Sequence, residues 1–265
     1  MKPIEISSHD ARAEAYVHGA HVVSWRPTPA DERLFLSARS RIEPGAAIRG
    51  GIPVVFPQFS TLGPLPKHGF ARTSEWTLVD SGAGFATFQL GASAATLAIW
   101  PHEFIAELAV RVGGASLEVQ LAVDNSGDAP FEFTAALHSY LRVADVQQVR
   151  VRGLEGLRYR DSTAAGIQRV QREADLAIAG EVDRIYLDAV NPVEVREPGR
   201  VTRANMTGFR DVVVWNPGPA ADATMTDMEP RGYQRMLCVE AAIVGTPVRL
   251  APGERWTGTQ ALTAE

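Results

Sequence analysis

The run Ser116-Leu117-Glu118-Val119-Gln120-Leu121-Ala122-Val123 carries an apolar side chain at every second position. That period puts alternate residues on opposite sides of an extended chain and describes a half-buried strand. Phe131-Glu132-Phe133-Thr134-Ala135 repeats it, and Asp124-Asn125-Ser126-Gly127-Asp128-Ala129-Pro130 between them is a dense turn signal. The two strands are expected to be antiparallel neighbours. Further strands are expected over 94–100, 104–112, 193–197, 201–205, 212–215, 236–239 and 256–262. Helical patterns are few: a short helix over 220–228 and a turn over 232–235, with 161–180 mostly irregular. Many short strands separated by turns predict an all-β sandwich or barrel. With no internal repeat or linker-like run, a single domain over 1–265 is expected.

Composition narrows the function classes. A net charge of -5 and a pI of about 5.7 argue against general binding to nucleic acid or anionic membranes, which needs a basic face. Cys238 is the lone cysteine, so intrachain disulfides and cysteine-rich metal sites are excluded. The first residues show no apolar signal core, and no apolar run approaches the ~18 residues of a membrane span. A soluble cytoplasmic protein is the expectation.

The stretch from Ile48 to Arg72 reads differently from the strands. Pro53, Pro57, Pro64 and Pro66 rule out a regular helix or a central strand across it, which leaves a long ordered loop, a common carrier of function. Gly50 and Gly51 allow unusual backbone or close approach to a ligand. Arg49 and Arg72 offer permanently charged forks suited to carboxylate or phosphate. His68, between Lys67 and Gly69, is either a ligand donor or a solvated loop histidine.

By alternation, Phe131, Phe133, Ala135 and Leu137 share one face, and Thr134, Ala136 and His138 the other. His138 is therefore either hydrogen-bonded within its sheet or aimed into a concave surface, where a pKa of about 6.5 suits proton transfer. Glu240, after Met236-Leu237-Cys238-Val239, is a strand-end surface charge or a carboxylate held at a strand mouth. Asp183 lines a site or pairs with Arg184. Trp215 and Asn216 offer a stacking face and an amide, or belong to the core. Dinucleotide, P-loop and serine-elbow motifs are absent, and His18, His21 and His102 are too isolated to define a metal site.

Four blocks in order resemble the glucose-6-phosphate 1-epimerases, or D-hexose-6-phosphate mutarotases, a branch of the aldose 1-epimerase superfamily. They are Ile48-Arg49-Gly50-Gly51-Ile52-Pro53-Val54-Val55-Phe56-Pro57, Pro66-Lys67-His68-Gly69-Phe70-Ala71-Arg72, Leu137-His138-Ser139-Tyr140-Leu141-Arg142-Val143, and Val214-Trp215-Asn216-Pro217 with Tyr233-Gln234-Arg235-Met236-Leu237-Cys238-Val239-Glu240. Val17-His18-Gly19-Ala20-His21-Val22-Val23-Ser24-Trp25 is similar to the family's opening strand pair. The resemblance implies a large antiparallel β-sandwich of the galactose mutarotase-like type, with no metal or organic cofactor. It implies His138 as catalytic histidine and Glu240 as catalytic carboxylate. Arg49 and Arg72 match arginines associated with substrate phosphate, and His68 and Asp183 match positions lining the sugar site. Lys67 stands where the family often has glutamine or alanine, and is read either as an added positive charge near the phosphate or as a shift in sugar preference. Ala241-Ala242 stands where proline or glycine is expected nearby.

The implied reaction interconverts the α and β anomers of a hexose 6-phosphate. A base takes the proton of the C1 hydroxyl, an acid protonates the ring oxygen, and the opened sugar recloses on its other carbonyl face. Glu240 as base and His138 as acid supply the pair. A monomer acting on a small-molecule substrate is expected. The alternatives are an epimerase of unphosphorylated aldoses, with structural arginines, and a carbohydrate-binding module that has lost catalysis.

Overall fold

The computed structural model describes residues 1–189 and 191–265. Strands dominate it because most segments alternate side chains between an apolar interior and a second face. An eight-stranded sheet runs in the order Ile167–Val170, Arg158–Asp161, Val182–Tyr186, Asp211–Asn216, Met236–Leu250, Phe131–Leu137, Val54–Val55, with Tyr140–Arg142 also paired to Met236–Leu250. A nine-stranded sheet runs Leu176–Ala177, Arg150–Arg152, Val193–Glu197, Arg200–Thr207, Arg255–Ala264, Ser116–Asn125, Phe104–Gly113, Phe85–Gly91, Thr77–Gly82. The core between them joins Val119, Leu121 and Val123 from one sheet to Phe133, Leu137, Val214 and Val239 from the other. A three-stranded sheet of Ile4–Ser8, Ala11–Tyr16 and His21–Arg26 packs on the Phe104–Gly113 strand.

The expected β-sandwich is therefore present, and the strand at 193–197 falls where its alternation puts it. Several local expectations fail. Ser116–Asn125 and Phe131–Leu137 are not neighbours but lie in opposite sheets. Both edges of the first are already taken, by Phe104–Gly113 and Arg255–Ala264, so the two apolar faces meet across the core instead. Asn125 holds this corner. Its amide donates to the carbonyls of Ala129 (2.9 Å) and Leu250 (3.0 Å), and its side-chain oxygen accepts from Gly127 N–H.

Residues 94–100 form a helix, Ala94–Ile99, not a strand. Ser93 caps it and Thr96 bonds back to Ser93 N–H, a reciprocal cap that outweighs a short apolar run of ambiguous period. The helix expected over 220–228 shrinks to Ala221–Thr224. The 161–180 stretch contains the strands Ile167–Val170 and Leu176–Ala177; Ile167–Val170 is an edge strand exposed along its whole length, so it shows no apolar alternation. The strand expected over 236–239 continues to Leu250.

Asn125→Ala leaves the buried Leu250 carbonyl without its donor and removes the contacts to Ala129 and Gly127, and is expected to destabilise the fold by about 1–3 kcal/mol. Urea unfolding checks this, and a change below ~0.5 kcal/mol would mean that the corner is held by other contacts.

Candidate active site

The eight-stranded sheet turns its second face away from the core, and that face builds the site. Asp183 lies opposite Trp215, Trp215 opposite Cys238, and Cys238 opposite Tyr140. One step along, Ile185 pairs with Val213 and Val213 with Glu240. His138 follows the Phe131–Leu137 strand on the face opposite Phe133 and Leu137, as the alternation predicts. A cavity of about 630 Å³ opens over this face, and Arg49, Lys67, His68, Arg72, His138, Asp183 and Glu240 all line it. The seven residues assigned to the site from the sequence are thus brought to one place. A second hollow of about 570 Å³ near Asp31, Glu32 and Arg200 is a closed set of ion pairs and backbone contacts, such as Arg200 with Asp31 and Glu32 with Arg26.

Glu240 is not a surface charge. It sits inside the Met236–Leu250 strand at 1% exposure, and His138 is at 7%. His138 Nε2 and Glu240 Oε1 are 3.4 Å apart. His138 Nδ1 and Glu240 Oε2 find no hydrogen-bond partner among the described residues. Burial pushes the imidazole well below its ordinary pKa, helped by His68, Arg49 and Arg72. Burial likewise pushes the carboxyl well above its own, with Asp183 adding to the rise and Arg72 and Lys67 opposing it. The pair therefore favours neutral imidazole beside protonated carboxyl. That state holds one proton, as does imidazolium beside carboxylate, so the pair titrates as a unit.

The long loop is ordered by its backbone. Val54–Val55 pairs with Leu137 and Ala136, His138 N–H donates to Pro53 O, and Ile52 N–H to Val22 O. Gly50 and Gly51 take φ of 121° and 62°, and a Cβ at Gly51 would come within 2.9 Å of His21 Nε2 and closer still to Val22 O. His21 Nε2 meets Gly50 O at 2.7 Å, and burial lowers its pKa to about 4, keeping the ring neutral and the donor role open. This supporting histidine escapes the sequence reading because its partner is a backbone carbonyl 29 residues away. The Ala241-Ala242 pair simply continues the strand, opposite Leu137 and Ala136.

Arg49 donates from Nε and Nη2 to Asp227 Oδ2 (3.2 and 3.0 Å) and from Nη1 to the Tyr140 hydroxyl (2.8 Å). Asp227 has no counterpart among the expected site residues: it falls at the end of the stretch read as a helix, which stops at Thr224, and its partner lies 178 residues away. Arg72 donates to Lys67 O at 3.0 Å, while its Nε has no partner among the described residues. Lys67 is exposed at the mouth. His68 sits at φ 68°, and its Nδ1 accepts from Ser60 N–H at 3.2 Å, which leaves Nε2 to carry a proton. Burial, with Arg72, Lys67 and Arg49, lowers its pKa to about 3, so it is a neutral donor. Burial raises the Asp183 pKa, against a hydrogen bond from Ser162. Arg184 points elsewhere, to Gln171 and the Tyr159 ring, so Asp183 is not its ion pair. Trp215 lines the cavity, whereas Asn216 is structural, donating to the carbonyls of Tyr233 and Met236.

A two-sheet antiparallel sandwich with this polar second face is a galactose mutarotase-like fold. A galactose mutarotase-related structure from Lactobacillus acidophilus matches it with a TM-score of 0.81 over 100% of this chain and 97% of that one, at 15% identity. The chain belongs to the aldose 1-epimerase family, whose model matches residues 2–263. It is 36% identical over 266 residues to a Cenchrus ciliaris protein provisionally named a glucose-6-phosphate 1-epimerase, covering 95% of this chain and 81% of that protein. The Salmonella typhimurium protein YeaD, crystallised as a provisionally assigned mutarotase, matches with a TM-score of 0.91 at 31% identity, over 99% of this chain and 90% of that one. The chain is an isomerase of the epimerase type acting on a sugar.

Buried neutral His21 links stability to pH. Its native pKa of about 4 lies below the unfolded value of about 6.5, so the unfolded chain takes up the proton first. The histidine's contribution is full above pH ~6.5 and is lost as pH falls towards ~4, at a cost of about 3 kcal/mol. His21→Gln, which can still donate to Gly50 O, is expected to flatten part of the stability loss between pH 7 and 5 in urea unfolding. An unaltered slope would show that His21 is not a source of it.

Proposed function

We propose that this protein interconverts the α and β anomers of a hexose 6-phosphate, without a cofactor, through proton transfer by Glu240 and His138. The observation that carries the reading is the convergence of a buried proton-sharing pair and three cations, Arg49, Lys67 and Arg72, on one cavity. In ring opening, Glu240 carboxylate takes the O1 proton and the O1–H electrons become the C1=O1 bond. The C1–O5 bond breaks with its electrons going to O5, which takes the proton of His138. The pair passes from imidazolium and carboxylate to imidazole and carboxylic acid. Reclosure after rotation about C1–C2 runs both transfers backwards. Each turnover thus visits both arrangements of one shared proton, and the burial that favours the neutral arrangement drives the ring-opening transfers while opposing the charge separation needed at the start. In this reading His68, as a neutral donor, and Asp183 bind sugar hydroxyls. The reading includes a monomeric cytoplasmic protein working as a single domain over 1–265.

Arg49, Lys67 and Arg72 support a phosphorylated substrate, since a remote dianion anchors the sugar for chemistry at C1. An unphosphorylated aldose draws support from Asp227, which already pairs with Arg49. Exchange-resolved NMR of glucose 6-phosphate and glucose anomers separates the two. Acceleration of the ester, lost in His138→Ala, is expected; acceleration of glucose alone would overturn the phosphate assignment.

Rates should fall on both sides of a plateau: towards acid as His138 takes a second proton, and towards alkali as the pair loses its only one. His138's limb lies below pH ~6.5 because burial depresses that pKa, and Glu240→Gln, which leaves His138 to titrate alone, should move the alkaline fall into that range below pH ~6.5 while lowering kcat at least about 10²-fold. Near-wild-type kcat in Glu240→Gln would remove the base assignment.

Arg49→Ala is expected to raise KM for the 6-phosphate at least about 10-fold with little change for free hexose. Equal effects on both substrates would dismiss the phosphate clamp.

A further inference from the structure

Tyr140 stands between the two working halves of the cavity. Its side chain is 2% exposed, and its strand is fixed to Met236–Leu250, with Tyr140 opposite Cys238. The ring stacks on His138, centroids 4.8 Å apart and planes 10° from parallel. Trp215 meets both rings edge-on, at 5.8 Å from His138 and 5.9 Å from Tyr140. At its far end, the Tyr140 hydroxyl oxygen accepts from Arg49 Nη1 at 2.8 Å. Burial holds the hydroxyl protonated.

Each group that Tyr140 touches is otherwise lightly held. His138 Nδ1 has no hydrogen-bond partner among the described residues, so apart from Glu240 at Nε2 it is the aromatic contacts that hold the plane of the ring. Arg49 has one other side-chain partner, Asp227, a pair with 25% and 27% exposure. Three of its five N–H groups are engaged, by Asp227 and Tyr140, leaving one on each terminal nitrogen for the oxygens of an anion.

We propose that Tyr140 is a positioning residue that couples phosphate binding to placement of the acid. Its hydroxyl fixes the Arg49 guanidinium and its ring fixes the plane of His138. A dianion on Arg49 therefore steadies the imidazole against the ring oxygen, and a free sugar does not. The inference rests on the anomer-interconversion reading above and adds to it a physical reason for preferring the ester.

Two variants separate the two contacts. Tyr140→Phe keeps the stacked ring and loses the hydroxyl; Tyr140→Leu loses both. The kcat and KM for glucose 6-phosphate and glucose would be measured by anomer-exchange NMR. The His138 ring signals would be followed by ¹H–¹³C NMR as inorganic phosphate is added. In Tyr140→Phe, the kcat/KM ratio of ester to free sugar is expected to fall at least about 10-fold, mainly through KM, and phosphate should no longer shift the His138 signals as it does in the wild type. In Tyr140→Leu, kcat should fall on both sugars and the His138 signals should leave their ring-current-shifted position. An unchanged ratio and an unchanged phosphate response in Tyr140→Phe would overturn the proposal, and if Tyr140→Leu fails to fold, Tyr140→Phe alone decides. If the wild type accelerates neither sugar, the functional reading fails. The coupling is then judged by the phosphate-induced shift of His138: present in the wild type and lost in Tyr140→Phe supports it, absent from the wild type overturns it.

Discussion

The cost of keeping a histidine and a glutamate out of water governs this molecule. An isolated buried charge is far too expensive to persist, and such groups respond by neutralising. Here the pair at 3.4 Å escapes by holding a single proton between two groups whose pKa values burial drives in opposite directions. The strand carrying Glu240 pairs with Asp211–Asn216 on one side and with Phe131–Leu137 and Tyr140–Arg142 on the other. Its central place is what denies Glu240 a route to solvent. Sheet topology therefore sets the chemistry: a carboxyl at the same sequence position on an edge strand would ionise in water and share nothing with His138.

The loop of 48–72 supplies the opposite electrostatic half, and it does so through backbone rather than packing alone. Gly50 and Gly51 let the chain turn beneath Arg49 while His21 and Val22 hold the turned peptides. Thr134 reaches from the neighbouring strand, accepting at Oγ1 from Phe59 N–H at 2.7 Å, and Gln58 closes the loop on itself through Ser60 and Leu65. A long segment without regular structure is ordinarily mobile. This one is stitched to three strands, so Arg49, His68 and Arg72 are presented from a fixed frame, as preorganised electrostatics requires.

The residues that depend on local period were legible in the chain. Phe131, Phe133 and Leu137 face the core, and His138 faces the cavity, because a strand allows only two sides. Residues whose role depends on non-local pairing were not. Glu240 lies in a nearly continuous apolar run buried on both faces, where alternation is silent, so local sequence suggested a surface charge. Asp227 reaches Arg49 across 178 positions, from beyond the end of a short helix that the local pattern extended too far. The same limit misplaced Ser116–Asn125 beside Phe131–Leu137: turn chemistry marks where a chain reverses but not whether the next strand joins the same sheet.

An acidic protein that places cations around a cavity has to overcome its own field. At net -5, the long-range potential opposes an approaching dianion, and at physiological salt it is damped beyond about 8 Å. Attraction therefore has to be local. Lys67, exposed at the mouth, is the first cation such a ligand meets, whereas Arg49 and Arg72 lie deeper and lose part of their hydration to burial. Asp227 pairs with Arg49 and so lowers the penalty of holding that charge in the wall. In the proposed reaction, a phosphate on the open N–H groups of Arg49 would join a carboxylate already in place, so the gain on binding would be smaller than the worth of an isolated ion pair. A site built this way discriminates by geometry more than by charge. The anion that profits most is one whose oxygens meet the two N–H groups of Arg49 left open by Asp227 and Tyr140.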